Sequence, residues 1–275
     1  MYKSLFLISV ALSSAGCSQS ADDSAAPVEA MNARVEAPAT PEPPAQPAVT
    51  GTTFEDDAES NGGKRTFDYS WPAAVNRIPE LAARFEADRA KQLAEQKDDW
   101  QEAIKTSPEE CGACRNRDFE KEWKVVADLD DWLSLSADFY VYTGGAHGNH
   151  GKSSLVWDRE GKRGMKGVEL FNSAVALETA LGAKLCDALD QERAKRRGEP
   201  VTRDGEWSTD CPGIDEATVL VGSSDGTAFN RIGIYFGPYV AGAYAEGDYE
   251  LDFPVTASVL DAVKPQFASA FKVGS

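Results

Sequence analysis

Histidine is nearly absent from this 275-residue sequence, with two in all, and cysteine is scarce, with five. Both histidines, His147 and His150, lie in one short segment, so any imidazole chemistry is confined to a single place. Positive charge is also in short supply. Lys and Arg number 28 against 45 Asp and Glu, a formal net charge of −17. That balance disfavours nucleic acid and anionic bilayer surfaces as partners and favours a basic one, besides keeping an exported protein soluble. The one apolar stretch of note is at the start. In "MYKSLFLISVALSSAGC" a single basic residue, Lys3, precedes an apolar run from Leu5 to Leu12 and small residues before Cys17. This is the pattern of a secretory signal, too short and wrongly flanked for a spanning helix.

Ser14-Ala15-Gly16-Cys17 resembles a bacterial lipobox. Residues 1–16 therefore read as a lipoprotein signal peptide, and Cys17 as an acylated first residue that tethers the protein to a membrane. In a Gram-negative envelope, Ser18 after the cysteine favours the outer membrane, with the protein facing the periplasm. Residues 17–53 are mostly Ala, Pro, Glu and Ser, as in "EAPATPEPPAQPAVTGTT", and read as a polyproline-like or disordered tether. The remainder suits one larger domain or two small lobes. We divide it at 54–165 and 166–275.

With Cys17 acylated, Cys111, Cys114, Cys186 and Cys211 remain. An even count in an oxidising compartment suggests two disulfides, with three possible connectivities. The reading adopted is local, Cys111 with Cys114 and Cys186 with Cys211. The "CGAC" spacing also invites a redox role, but such a site opens a helix directly after a strand of a βαβ unit. Here the motif follows "TSPEE", so it reads as a loop staple.

Helical spacing begins at Pro79, where Leu81, Phe85, Leu93, Trp100 and Ile104 share one stripe. "WKVVADLDDWLSLSADFYVYTGG" then alternates apolar and polar residues and predicts a meandering antiparallel sheet, continued by "SSLVWDREGKRG". A second helix is predicted after Phe171, capped by Asn172 or Ser173 and burying Leu177, Leu181, Leu185 and Leu189. It ends in Lys195-Arg196-Arg197-Gly198, basic residues at the negative end of a helix dipole before a glycine stop. Asp225-Gly226 between two apolar runs predicts a hairpin. "YELDFPV" and a short helix with Val259, Leu260 and Val263 close the chain. The predicted fold class is α+β: two small lobes, each an antiparallel sheet with a packed amphipathic helix.

Three segments invite chemistry. "GSSDG", Gly222 to Gly226, fits the form of a hydrolase nucleophile elbow, but that fold needs a histidine downstream and none follows His150. A serine without a general base is not a nucleophile at neutral pH, so the hairpin explains these residues better. In "YVYTGGAHGNHG" the two histidines could ligate zinc with a carboxylate, or one could act as a base. Glycines at 144, 145, 148 and 151 argue against a helical H-x-x-H site and for a tight turn that needs positive φ and close backbone approach. "IGIYFGPYVAGAYAEGDYELDFP" interleaves Tyr235, Tyr239, Tyr244 and Tyr249 with glycines. Such tyrosines suit a recognition surface or plain strand packing.

These last two segments, with "KGVELF" after the first, resemble the RsiV/PdaC-type paired envelope domains. That family is known from a lysozyme-sensing anti-sigma factor and from the accessory region of a peptidoglycan deacetylase. The likeness runs from about Phe67 to Phe271, and its most specific parts are Gly145-Ala146-His147 and Tyr235-Phe236 with Pro238-Tyr239, Gly242 and Tyr244 beyond. It implies an α+β fold and an extracytoplasmic binding role. No sigma-binding segment, transmembrane helix or polysaccharide deacetylase domain is apparent, so neither signalling nor deacetylation carries over. The expectation is a non-catalytic, lipid-anchored envelope protein that binds a basic muramidase or peptidoglycan through Tyr142, His147, Tyr239 and Tyr244, with no cofactor. A cell-wall hydrolase or metal-dependent enzyme using His147 is the alternative, and a structural lipoprotein without a specific ligand the background to both.

Overall fold

Period-two alternation decides the first long strand. In "GKRTFDYSW" Gly63, Arg65, Phe67, Tyr69 and Trp71 are buried while the residues between them are not, as a strand with one face on a core requires. The structure is a computed structural model that describes residues 49–274. The signal peptide and Cys17 lie outside the described residues, as does most of the tether. Within the described part, β1 (Thr52–Glu55) and β2 (Ala58–Ser60) precede this strand, β3 (Gly63–Trp71). The first strand thus begins inside the segment read as tether, because Thr52 and Thr53 pair with Trp71 and Ser70.

A short helix α1 (Ala73–Asn76), a long helix α2 (Pro79–Thr106) and a single turn α3 (Gly112–Arg115) lead to β4 (Arg117–Asp128). The chain continues through β5 (Trp132–Tyr142), β6 (Asn149–Asp158) and β7 (Arg163–Met165). These strands form one sheet in the order β1-β3-β4-β5-β6-β7, with β2 also on β3. The predicted meander is β4-β5-β6, antiparallel throughout. The β3–β4 pair is parallel instead, since α2 intervenes as the long crossover that a parallel pair needs. Pro79 opens α2 at a position where its missing N–H costs nothing, with Glu80 in the first turn and Lys105 in the last. Leu81, Phe85 and Trp100 are buried, while Leu93 and Ile104 are half-buried. Leu81 and Phe85 meet Tyr69, Trp71, Trp123, Leu135 and Leu155 in one aromatic-rich core.

The predicted second helix is two. Ser173 accepts a hydrogen bond from the Ala176 N–H to cap α4 (Ala174–Leu181), and Gly182, at φ 57°, separates it from α5 (Ala183–Arg197). A residue with a Cβ resists that φ, so the glycine permits the break. All four predicted leucines are buried nonetheless. β8 (Thr218–Gly222), β9 (Arg231–Phe236) and β10 (Tyr249–Pro254) form an antiparallel sheet in the order β10-β9-β8, and α6 (Ala257–Ala262) follows. The β8–β9 hairpin closes through the longer loop 223–230, with Gly226 at φ 72°. A second core unites Leu177, Leu185, Leu189, Val221, Ile234 and Val259, and it also takes in Ala127 and Val156 from the large sheet and Leu129 from the β4–β5 turn. Residues 47–275 form one compact unit that contains both cores and both sheets. Among the described residues no helix is long and apolar enough to cross a membrane.

Cys111 is bonded to Cys114 and Cys186 to Cys211. The second bridge ties α5 to the loop before β8 across 25 positions and the first spans 3. Loop-closure entropy grows with the logarithm of that span, giving about 3 kcal/mol for the long bridge and about 2 kcal/mol for the short one. Urea unfolding of the Cys186→Ser/Cys211→Ser and Cys111→Ser/Cys114→Ser double variants should therefore show the larger loss in the former.

Candidate functional site

The β5–β6 connection contains His147 and its glycines, and those glycines answer two different demands. Gly144 and Gly145 have φ of 98° and 99°, a region that L side chains avoid. Gly148 and Gly151 sit under aromatic rings, where a Cβ would run into Tyr140 and Phe139 respectively. The turn therefore exposes His147 while Gly148 stays buried.

Against this turn stands the loop between β9 and β10. The Tyr244 ring stacks on His147 with centroids 4.0 Å apart and planes at 24°, the Tyr239 ring lies 5.4 Å from that of Tyr244, and His150 meets Tyr244 edge-on at 5.9 Å. The Gly148 carbonyl accepts from Tyr244 Oη and from His147 Nδ1, each at 2.8 Å. A proton on Nδ1 leaves Nε2 as the acceptor, and the Tyr239 hydroxyl faces it at 3.5 Å, the long limit of a hydrogen bond. Tyr239 is 55% exposed and holds a φ of 69°. A non-glycine residue in that region stores strain of order 1 kcal/mol or more, and such residues cluster at functional sites.

Of the residues singled out in the sequence, His147, Tyr239 and Tyr244 are brought together. Tyr142 is not part of the stack: its hydroxyl lies within hydrogen-bond reach of the Gly145 and Ala113 carbonyls at 2.8 and 3.1 Å, tying the glycine turn to the Cys111–Cys114 turn. Tyr235 and Tyr249 are buried. Among the described residues no carboxylate is bonded to either imidazole, and no three His, Cys, Asp or Glu converge on a metal position. At the elbow-like motif, Ser224 Oγ accepts from Asn230 Nδ2 at 2.8 Å within the hairpin loop.

Sequence reasoning missed what holds the tyrosine loop. Arg193 is fully buried and donates from Nε to the Ala241 carbonyl at 2.9 Å, and from its two terminal nitrogens to Thr209 and Asp210 carbonyls at 3.1 and 2.7 Å and to Asp190 at 3.1 Å. Arg197 pairs with the Glu246 carboxylate at 2.9 Å, Arg196 donates to the Glu246 carbonyl at 2.5 Å, and the Tyr249 hydroxyl donates to the same carboxylate at 2.5 Å. The basic end of α5 is thus a clamp on this loop. Its only sequence signal is the basic run Lys195-Arg196-Arg197 at the end of α5, some fifty positions before Glu246. Burial first, then the Glu246 carboxylate, push the Tyr249 hydroxyl up to about 12. For Glu246 burial acts upward, but the Tyr249 and Arg197 hydrogen bonds outweigh it and hold the carboxyl below its ordinary value.

Residues 59–150 match the family model described as Deacetylase PdaC. The matched span runs from β2 into β6 and includes Tyr142 and His147, whereas Tyr239 and Tyr244 lie beyond it. Among solved structures the chain is similar to a DUF3298 family protein from Pseudomonas aeruginosa PAO1, with 16% identity, TM-score 0.45, and 79% of this chain and 95% of that one covered. It is similar also to a DUF3298 family member from Bacteroides fragilis NCTC 9343, with 16% identity, TM-score 0.47, and 82% and 92% covered. No curated protein matches the chain.

Replacing Arg193 by Met would leave three loop carbonyls without donors inside the protein. The expected cost is about 3 kcal/mol in chemical denaturation, together with loss of the Tyr244–His147 contact in aromatic NMR spectra. The carboxyl of Glu246 makes a second, pH-dependent prediction. Its folded value lies below the unfolded one, so its contribution is present above roughly pH 4.3 and is lost as pH falls through the folded value. Between pH 6 and 3, Glu246→Gln should lose stability less steeply than wild type; equal slopes would uncouple this group from folding.

Proposed function

We propose that this chain is a non-catalytic binding module of the bacterial cell envelope, lipid-anchored at Cys17, that takes a muramidase or peptidoglycan on the Tyr239–Tyr244–His147 stack. The observation that carries this reading is the stack itself. Two aromatic rings and an imidazole from distant segments form one ridge, and its exposed Tyr239 is held in a strained backbone conformation. Tyrosine offers an apolar face with a polar tip at low entropic cost, which suits both sugar rings and a partner's side chains. An acidic surface, with a net charge of −17 over the chain, adds long-range attraction for a basic protein. The match of residues 59–150 to the PdaC model supports an envelope setting. His147 bonds to a backbone carbonyl and faces a tyrosine hydroxyl, partners that orient it for contact and give it no carboxylate to stabilise a protonated base.

The test is calorimetric titration of residues 47–275 with lysozyme and, separately, with soluble peptidoglycan fragments, each at low and high salt. Binding to one of them is expected, with salt weakening capture of the protein more than capture of the glycan. Tyr239→Ala and Tyr244→Ala should each weaken that binding about tenfold or more. Tyr239→Gly should do the same without lowering the unfolding midpoint, because glycine relieves the backbone strain. Absence of both interactions at low salt would overturn the proposal.

A further inference from the structure

On the other side of the molecule's chemistry, α2 leaves part of the large sheet uncovered. A cleft of about 340 Å³ opens between α2 and the turn after β7, at the small end of the range for small-molecule sites. Phe85, Leu155 and Met165 supply an apolar wall, and Trp123 and Tyr69 lie beneath. Its charges are unevenly matched. Asp88 already accepts from Lys121 Nζ at 2.8 Å and from Tyr69 Oη at 2.6 Å, and the Glu169 carboxylate accepts from the Lys166 backbone N–H at 2.5 Å. The side chains of Arg84 and Lys166, both exposed at the mouth, form no ion pair among the described residues. The Arg84 guanidinium reaches across the cleft to β7, close enough that a Cβ on Gly164 would meet it at 2.9 Å. Three cations thus face two carboxylates that are both occupied, in a protein whose charge is otherwise strongly negative.

We propose that this cleft binds a small organic anion, a carboxylate or phosphate on an apolar body about the size of a single ring. The anionic group meets Arg84 and Lys166, and the ring lies against Phe85, Leu155 and Met165. An arginine is suited to two-point contact with either anion, while the lysine acts as a point charge. The site is separate from the Tyr239–Tyr244–His147 stack and does not depend on what that stack binds.

Titration of residues 47–275 with phenylacetate, phenyl phosphate, the neutral phenylacetamide and inorganic phosphate, followed by calorimetry and by the indole N–H signal of Trp123, tests the assignment. Phenylacetate or phenyl phosphate should bind saturably and move the Trp123 signal. Whichever is tighter identifies the carboxylate or the phosphate as the natural group. Phenylacetamide should bind about tenfold more weakly or worse, and inorganic phosphate should be weaker than phenyl phosphate. Arg84→Gln and Lys166→Gln, at exposed positions without an ion-pair partner among the described residues, should each weaken the anions severalfold at an unchanged unfolding midpoint. Equal affinity for phenylacetate and phenylacetamide would overturn the proposal, as would binding by the double variant equal to wild type. So would failure of either aryl anion to bind at millimolar concentration.

Discussion

The candidate ridge depends on one buried guanidinium. Arg193, with no exposed surface, joins α5 to the Ala241 carbonyl of the tyrosine loop and to the Thr209 and Asp210 carbonyls beside Cys211. Taking a charge out of water is costly. Here the cost is offset by three carbonyls and the mostly buried Asp190, which occupy most of the donors that arginine offers. The Cys186–Cys211 bridge fixes the same loop to the same helix one turn or more upstream. Arginine and disulfide together convert irregular chain into a rigid support, because each satisfied backbone carbonyl removes a reason for the loop to open toward water.

Support from below is matched by a contact from the side. The Gly148 carbonyl accepts from both Tyr244 and His147, so a single backbone group couples the two loops that build the ridge. It is free to do so because Gly148 has no side chain to displace the Tyr140 ring above it. Behind the turn, Tyr142 leans on the Ala113 carbonyl inside the Cys111–Cys114 turn. The cysteine loop thereby buttresses the glycine turn, and the two disulfides stand behind the two halves of the ridge. The other lobe uses the same device: Arg65, 2% exposed, pairs with Asp56 and contacts Gln96 of α2.

The ridge and the cleft differ in kind. The first projects exposed aromatic faces, which suits a large partner or an extended polymer; the second is concave, with an apolar wall and unmatched positive charge at its mouth. Their separation follows from the topology. The ridge forms where the β5–β6 and β9–β10 connections meet, and the cleft forms beside α2 over the six-strand path of the large sheet.

What the sequence determined by itself is local. The alternation over 123–145, continued by the segment from Ser153, predicted the β4-β5-β6 meander, the apolar stripe from Leu81 predicted α2, and glycines at 144 and 145 predicted a turn with positive φ. Each rests on a period or a steric rule that acts within a few residues. The break at Gly182 and the parallel β3–β4 pair escaped that reading: an isolated glycine inside an apolar helical pattern does not announce its φ, and strand direction depends on what the crossover packs against. The tertiary structure alone decided that His147 would meet Tyr244 some hundred positions away, that Tyr142 would face elsewhere, and that Arg193 would hold the tyrosine loop. The physical reason is that these contacts are side chain to distant backbone carbonyl, and a carbonyl carries no mark in the sequence of the donor it will accept.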